Sequence, residues 1–141
     1  MKRRLITVPT SQHAEMLEIT AEVNAALAAN DTASGLLCLR SLHTTAGITV
    51  NENADPDVIA DMLLWFDEVV PWTHARFRHA EGNSAAHIKT SLLGTSLCLP
   101  FYRGKLDLGR WQGIFLCEFD GPRQRQVEII TLAQEKQLSD I

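Results

Sequence analysis

The chain has 141 residues, 45% apolar and 21% charged, with 17 acidic against 13 basic side chains and a net charge of −4. That balance describes a globular chain, and its length suits a single domain over residues 1–141 that buries roughly two-thirds of its unfolded surface without a disulfide or metal staple. It excludes a (β/α)8 barrel, which needs at least about 200 residues. An acidic total also gives no electrostatic footprint for nucleic acid or an anionic membrane.

Lys2-Arg3-Arg4 precedes only a short apolar run at residues 5–8, too short for a secretion signal. No stretch nears the roughly 18 apolar residues of a membrane span. Residues 4–10 and 15–20 are β-capable runs, and the alanine-rich 21–30 predicts a short helix with Thr20 as cap and Asn30-Asp31 at its end. Residues 35–42 predict an apolar strand and 47–51 a second short one. Asp55 then caps a long helix with Pro56 in its first turn, where no N–H is needed. Ile59, Met62, Leu63, Phe66, Val69 and Val70 recur at helical spacing as its buried stripe, and Pro71 stops it.

Residues 76–79 read as extended. Asn83 caps a helix over 84–93, which Gly94 ends. The remainder is β-rich: 95–102, 105–108, 111–119 and 124–132, separated by Arg103-Gly104, Gly109-Arg110 and Gly121-Pro122. The run 111–119 is almost unbroken apolar, so both its faces must be covered, which points to a subunit interface in so small a chain. Strands mixed with two to three helices, without regular βαβ winding, give an α+β fold of packed β-sheets. Cys38, Cys98 and Cys117 stand singly in apolar runs with no Cys-x-x-Cys spacing, as buried reduced thiols of a cytoplasmic protein do.

His43, His79 and His87 all fall at ends of predicted elements, where functional groups on a rigid scaffold usually sit. Three imidazoles with an open position suit a catalytic zinc-type centre, although no tight ligand spacing accompanies them. Three polar residues at element ends is the plainer alternative. Gly82-Asn83-Ser84 opens a helix whose free N–H groups could hold a phosphate, with Lys89 and the Thr44 and Thr45 hydroxyls as further donors. A capped helix after a glycine turn accounts for the same residues. Glu52, Asp61 and Glu118 are the candidate carboxylates; Glu118, inside an apolar strand, needs a partner that Arg123 or Arg125 would supply. Trp111-Gln112-Gly113 offers an aromatic, an amide and a backbone without Cβ that a planar ligand could approach, or simply a core tryptophan.

Taken in order, His43-Thr44-Thr45-Ala46-Gly47, Asn51-Glu52-Asn53-Ala54-Asp55-Pro56, His79 followed by Ala86-His87-Ile88-Lys89, Leu93-Gly94-Thr95-Ser96-Leu97 and Gly109-Arg110-Trp111-Gln112-Gly113 resemble the YjbQ-like family, described as secondary thiamine-phosphate synthase enzymes. The resemblance covers residues 5–132. It implies an α+β fold of packed sheets, a homotrimer, and a pocket near subunit boundaries. To that pocket it assigns His43, His79 and His87 as metal ligands, with Glu52, Asn83 and Gln112 also on motif positions. Arg110 stands where the family usually has Thr, and Ala85 lies in a run where relatives often carry an acidic residue.

The implied reaction couples a pyrimidine methyl pyrophosphate to a thiazole phosphate, releasing pyrophosphate. Its chemistry needs a stabilised leaving group and a well-placed thiazole nitrogen. A divalent metal (zinc or magnesium), Lys89 and the helix start at Asn83 answer the first need, with His87, His43 and Glu52 as the catalytic set. Trp111 answers the second by stacking. Two alternatives stand beside it: a metal-dependent hydrolase of a phosphorylated metabolite, in which the histidines activate water, and a trimeric metal- or ligand-binding protein without turnover.

Overall fold

A computed structural model describes residues 1–28 and 34–133. Along the chain run β1 (Lys2–Pro9), β2 (Glu15–Glu18), α1 (Thr20–Ala28), β3 (Gly35–Ser41), β4 (Ala46–Glu52), α2 (Pro56–Val69), α3 (Ser84–Leu93), β5 (Ser96–Tyr102), β6 (Lys105–Leu106), β7 (Gln112–Glu118) and β8 (Gln124–Ala133). The fold is α+β. The strands form two antiparallel sheets, one of five strands in the order β1-β8-β3-β5-β6 and one of three in the order β2-β7-β4. No helix among the described residues is long and apolar enough to cross a membrane.

The two sheets pack face to face. Leu37 and Leu39 of β3, Val127 and Ile129 of β8 and Phe101 of β5 meet Ile48 of β4 and Ile114 and Leu116 of β7, with Val23 and Leu27 of α1 closing the same core. Each fully buried aliphatic or aromatic side chain there contributes about 1.5–3 kcal/mol. Behind the three-stranded sheet, α2 and α3 bury Phe66 and Ala86 against Phe115, Cys117 and Phe119. The result is three layers: sheet, sheet, helices.

This layering explains the apolar run 111–119 differently from the sequence expectation. All of β7 except Gln112 is buried, because odd and even positions face the opposite sheet and the helices of the same chain. The strand needs no partner subunit, so that argument for an interface falls away; Trp111 itself lies outside the strand and is exposed. Among the described residues, one exposed apolar surface is instead the outer face of the five-stranded sheet. There Leu5, Leu36 and Leu132 are exposed and Glu128 is buried beneath ion pairs from Arg3 and Arg40.

Local expectations divide along similar lines. Asp55 caps α2 by accepting the Asp57 N–H at 2.9 Å, but only Phe66 of its predicted stripe is fully buried within the helix and Val69 is exposed. Thr20 begins α1, and its hydroxyl reaches across to accept the Ile114 N–H at 2.9 Å; the predicted helix end at Asn30-Asp31 lies outside the described residues. Residues 76–79 are irregular rather than a strand. Of the cysteines only Cys117 is buried. Cys38 is half-buried and Cys98 exposed, opposite each other on β3 and β5, because no layer of the described residues covers that stretch of sheet.

Candidate functional site

The site grows from the corner between β3 and β4. Gly94 ends α3 with a left-handed φ of 101°, and its carbonyl accepts the Ile48 N–H of β4 at 3.0 Å. A Cβ on Gly47 would come within 2.6 Å of that same carbonyl, so both motif glycines serve to press the end of α3 onto β4. Docked this way, α3 runs alongside the 42–45 corner, and a cavity of about 490 Å³ lies between them. His43 and Thr44 line it from the corner, His87, Thr90 and Ser91 from α3, and Thr95 from the residue before β5. Among the described residues, no carboxylate lines it. Thr90 is buried with its hydroxyl unpaired.

The backbone N–H of Gln126 on β8 donates to His43 Nε2 at 2.8 Å. A ring nitrogen that accepts must be unprotonated, so the ring proton resides on Nδ1. Burial, reinforced by the neighbouring Arg125 guanidinium, holds the imidazole below its ordinary pKa despite the opposing charge of Glu118. His43 therefore presents a neutral Nδ1–H. His87 stands edge-to-face with His79, ring centroids 5.4 Å apart.

These facts test the metal reading. Ligation requires a bare ring nitrogen; on His43 one nitrogen is occupied by Gln126 and the other carries the proton. Among the described residues no group of three or more His, Cys, Asp or Glu is placed to hold an ion. The structure pairs His79 with His87 and places His87 with His43 on one cavity, but the three do not form a ligand set for zinc or magnesium.

Beneath the corner lies a buried ion pair. Glu118, fully buried on β7, receives Arg125 Nε at 2.8 Å and Arg125 Nη2 on its other oxygen, the Thr10 hydroxyl at 2.7 Å and the Phe119 and Asp120 N–H groups. Burial alone would raise its pKa; the hydrogen bonds, chiefly from Arg125, more than offset this and hold the carboxyl below the usual range. Arg125 is thus the partner Glu118 needed, while Arg123 pairs with Asp120 at 3.0 Å. Arg125 Nη2 also donates to Thr45 Oγ1 at 2.8 Å, so Thr45 braces the corner and does not face a ligand.

Several candidates lie elsewhere. Lys89, two residues from His87 and therefore roughly 200° around the helix, is buried on the opposite side, its Nζ donating to Asp67 Oδ1 of α2 at 3.2 Å. Asn83 makes no cap hydrogen bond; its amide donates to Asp120 at 2.9 Å, and its Oδ1 is buried without a partner. Glu52 and Gln112 are opposite each other at the far end of β4 and β7, six residue steps or about 20 Å from the His43 corner. Gln112 accepts the Gly109 N–H at 2.8 Å, and Trp111 is half-exposed beneath the Arg110 guanidinium at 4.8 Å. The missing Cβ of Gly113 makes room for Glu18 and Asn53, at 2.8 and 2.9 Å, rather than for a ligand. The sequence reading passed over Thr90, Ser91 and Thr95; Thr90, three residues after His87, was within reach of a helical-face argument.

The family model described as "UPF0047 protein YjbQ-like" matches residues 4–134. The UPF0047 protein YugU of Bacillus subtilis is 52% identical over 122 residues, covering 86% of this chain and 92% of that one. The UPF0047 protein MJ1081 of Methanocaldococcus jannaschii is 44% identical, covering 84% and 86%. Among solved structures, an uncharacterized conserved YjbQ/UPF0047-family protein of Clostridium acetobutylicum superposes with a TM-score of 0.88 at 44% identity, covering 92% of this chain and 99% of that one. A hypothetical protein of Aeropyrum pernix also reaches 0.88, at 32% identity with 95% and 100% covered.

Proposed function

The chain belongs to the UPF0047 YjbQ-like family, and from that premise we propose that it is a transferase of the thiamine-phosphate synthase type, coupling a pyrimidine methyl pyrophosphate to a thiazole phosphate in the His43–His87 cavity. One observation carries the reading: two imidazoles from separate elements converge on a single cavity lined with hydroxyls and without a carboxylate. Such a lining favours an oxyanion, since every polar group there can donate and none brings a competing negative charge.

In the reaction the bond from the pyrimidine methylene carbon to the pyrophosphate oxygen breaks, and the thiazole nitrogen bonds that carbon. The pyrophosphate departs with the electron pair. His43 Nδ1–H, held in place by Gln126, is a preorganised donor to the developing charge. The Thr44 hydroxyl adds to it. His87, on the opposite wall, is the second donor and the group able to pass a proton to the leaving oxygen. The metal-dependent hydrolase draws less support, because no ligand set is assembled among the described residues. A homotrimer remains part of the proposal, with the bare face of the five-stranded sheet as the surface where copies meet.

The test is incubation of the purified protein with both precursors, following thiamine phosphate and pyrophosphate together. Equal amounts of each are expected. Phosphate release without coupling would support a hydrolase, and tight binding without turnover a binding protein; either contradicts the transferase.

A further inference from the structure

We infer that a second cavity, formed by the loop after α2 and the first turns of α3, is an anion subsite in which Arg76 and Arg78 hold the phosphate of a second, ring-bearing substrate. The inference rests on the transferase reading, which requires two anionic substrates held together. This cavity measures about 560 Å³ and is lined by Arg76, Phe77, Arg78, His79, His87 and Ile88. His87 lines both cavities and so forms their common wall.

Arg3, Arg40, Arg123 and Arg125 each engage a carboxylate. Of the nine arginines, Arg4, Arg76, Arg78, Arg103 and Arg110 engage no carboxylate among the described residues, and two of these five line this cavity. The chain has more acidic than basic side chains, yet among the described residues no carboxylate lines the cavity. Both guanidiniums line this cavity, and each is a planar fork that matches phosphate oxygens, a geometry that lysine does not reproduce. Phe77 and Ile88, each more than a third exposed, place an apolar wall beside those charges. An anion carrying a flat ring uses both features, whereas free phosphate uses only one. Two such ligands would approach each other across the His87 ring, as a coupling reaction between two phosphorylated substrates needs.

Calorimetric titration with inorganic pyrophosphate tests the assignment, comparing wild type, Arg76→Ala/Arg78→Ala and His43→Ala, each checked for unchanged thermal unfolding. Both arginines are exposed, so the double variant should fold. Wild type is expected to bind two equivalents per chain. The arginine variant should lose one, its affinity falling by about tenfold or more, and Arg76→Lys/Arg78→Lys should restore it only in part. Two equivalents retained in the arginine variant would overturn the subsite, as would no binding in wild type. A single wild-type equivalent lost in His43→Ala and kept in the arginine variant overturns the subsite while leaving the first cavity intact. A single equivalent lost only in the arginine variant upholds the subsite and removes the first cavity from the reading.

Discussion

The two ends of the β4–β7 pair carry motif residues of similar appearance and use them differently. At the His43 end, a buried Glu118–Arg125 pair, the Thr45 hydroxyl and the Gln126 N–H fix one imidazole against α3 beside an open cavity. At the Glu52 end, Gln112 closes its own turn, Asn53 and Glu18 fill the space beside Gly113, and Trp111 rests against Arg110. One end is preorganised and has room left for a ligand. At the other, Gln112, Glu18 and Asn53 are engaged with their own turn or with one another. Proximity in sequence conceals this, because the seven residues of β4 separate the motifs in space.

The sharpest way to break the contrast is to remove its buried charge. Arg125→Ala leaves Glu118 ionised with its principal partner gone and should cost about 3–5 kcal/mol, read as a fall in the urea midpoint. Gln112→Ala, which removes one exposed turn hydrogen bond, should cost about 1 kcal/mol or less. Equal losses would mean that the His43 end is no more strongly built than the other.

His87→Ala should next end coupling, with kcat lowered by about 100-fold or more, while stability changes by less than about 1–2 kcal/mol. Ile88 and Leu92 are themselves partly or largely exposed, so the anchoring of α3 comes from Ala86, Thr90 and Leu93 and does not depend on the imidazole. An unfolded variant would make His87 a structural residue, and a fully active one would remove it from the mechanism.

A smaller effect appears with pH. The His43 pKa lies below its ordinary value when folded, so between the two values the unfolded chain binds more protons. The associated stability is complete above about pH 6.5 and is lost as pH falls through the folded value. His43→Gln should flatten this part of the urea-midpoint profile. The loss that follows Glu118 begins lower, near the ordinary glutamate range, and should persist in that variant. An unchanged slope in His43→Gln would show that protonation does not oppose the Gln126 hydrogen bond.

The smallest effect is expected at the opposite end. Glu52→Gln should leave pyrophosphate binding unchanged and shift stability by no more than about 0.5 kcal/mol. Loss of coupling in that variant, with binding and folding intact, would bring the Glu52 end of a second copy into the site.

Much of the fold was legible because period and punctuation agree. The Asp55-Pro56 start, the Gly94 stop and the almost unbroken apolar 111–119 each have one local physical solution. Burial of that last strand was also legible, but what covers it was not: a single-chain second sheet and a subunit interface leave the same apolar signature. The pairing of His43 with His87 was approached through residue type and element ends. The Gln126 hydrogen bond that sets the His43 proton was not, since it spans 83 residues and comes from a backbone N–H. Lys89 and Asn83 misled because their charge and amide suit a phosphate equally well as they suit Asp67 and Asp120. Arg76 and Arg78 gave no signal, lying in a segment without regular structure.

The most direct test is a crystal structure of the protein soaked with pyrophosphate. The expected result is a phosphate oxygen within hydrogen-bond distance of His43 Nδ1, with His87 on the facing wall and the Gln126 N–H still donating to Nε2. Pyrophosphate bound at the Glu52–Trp111 end, or a metal ion on His43, would contradict the account.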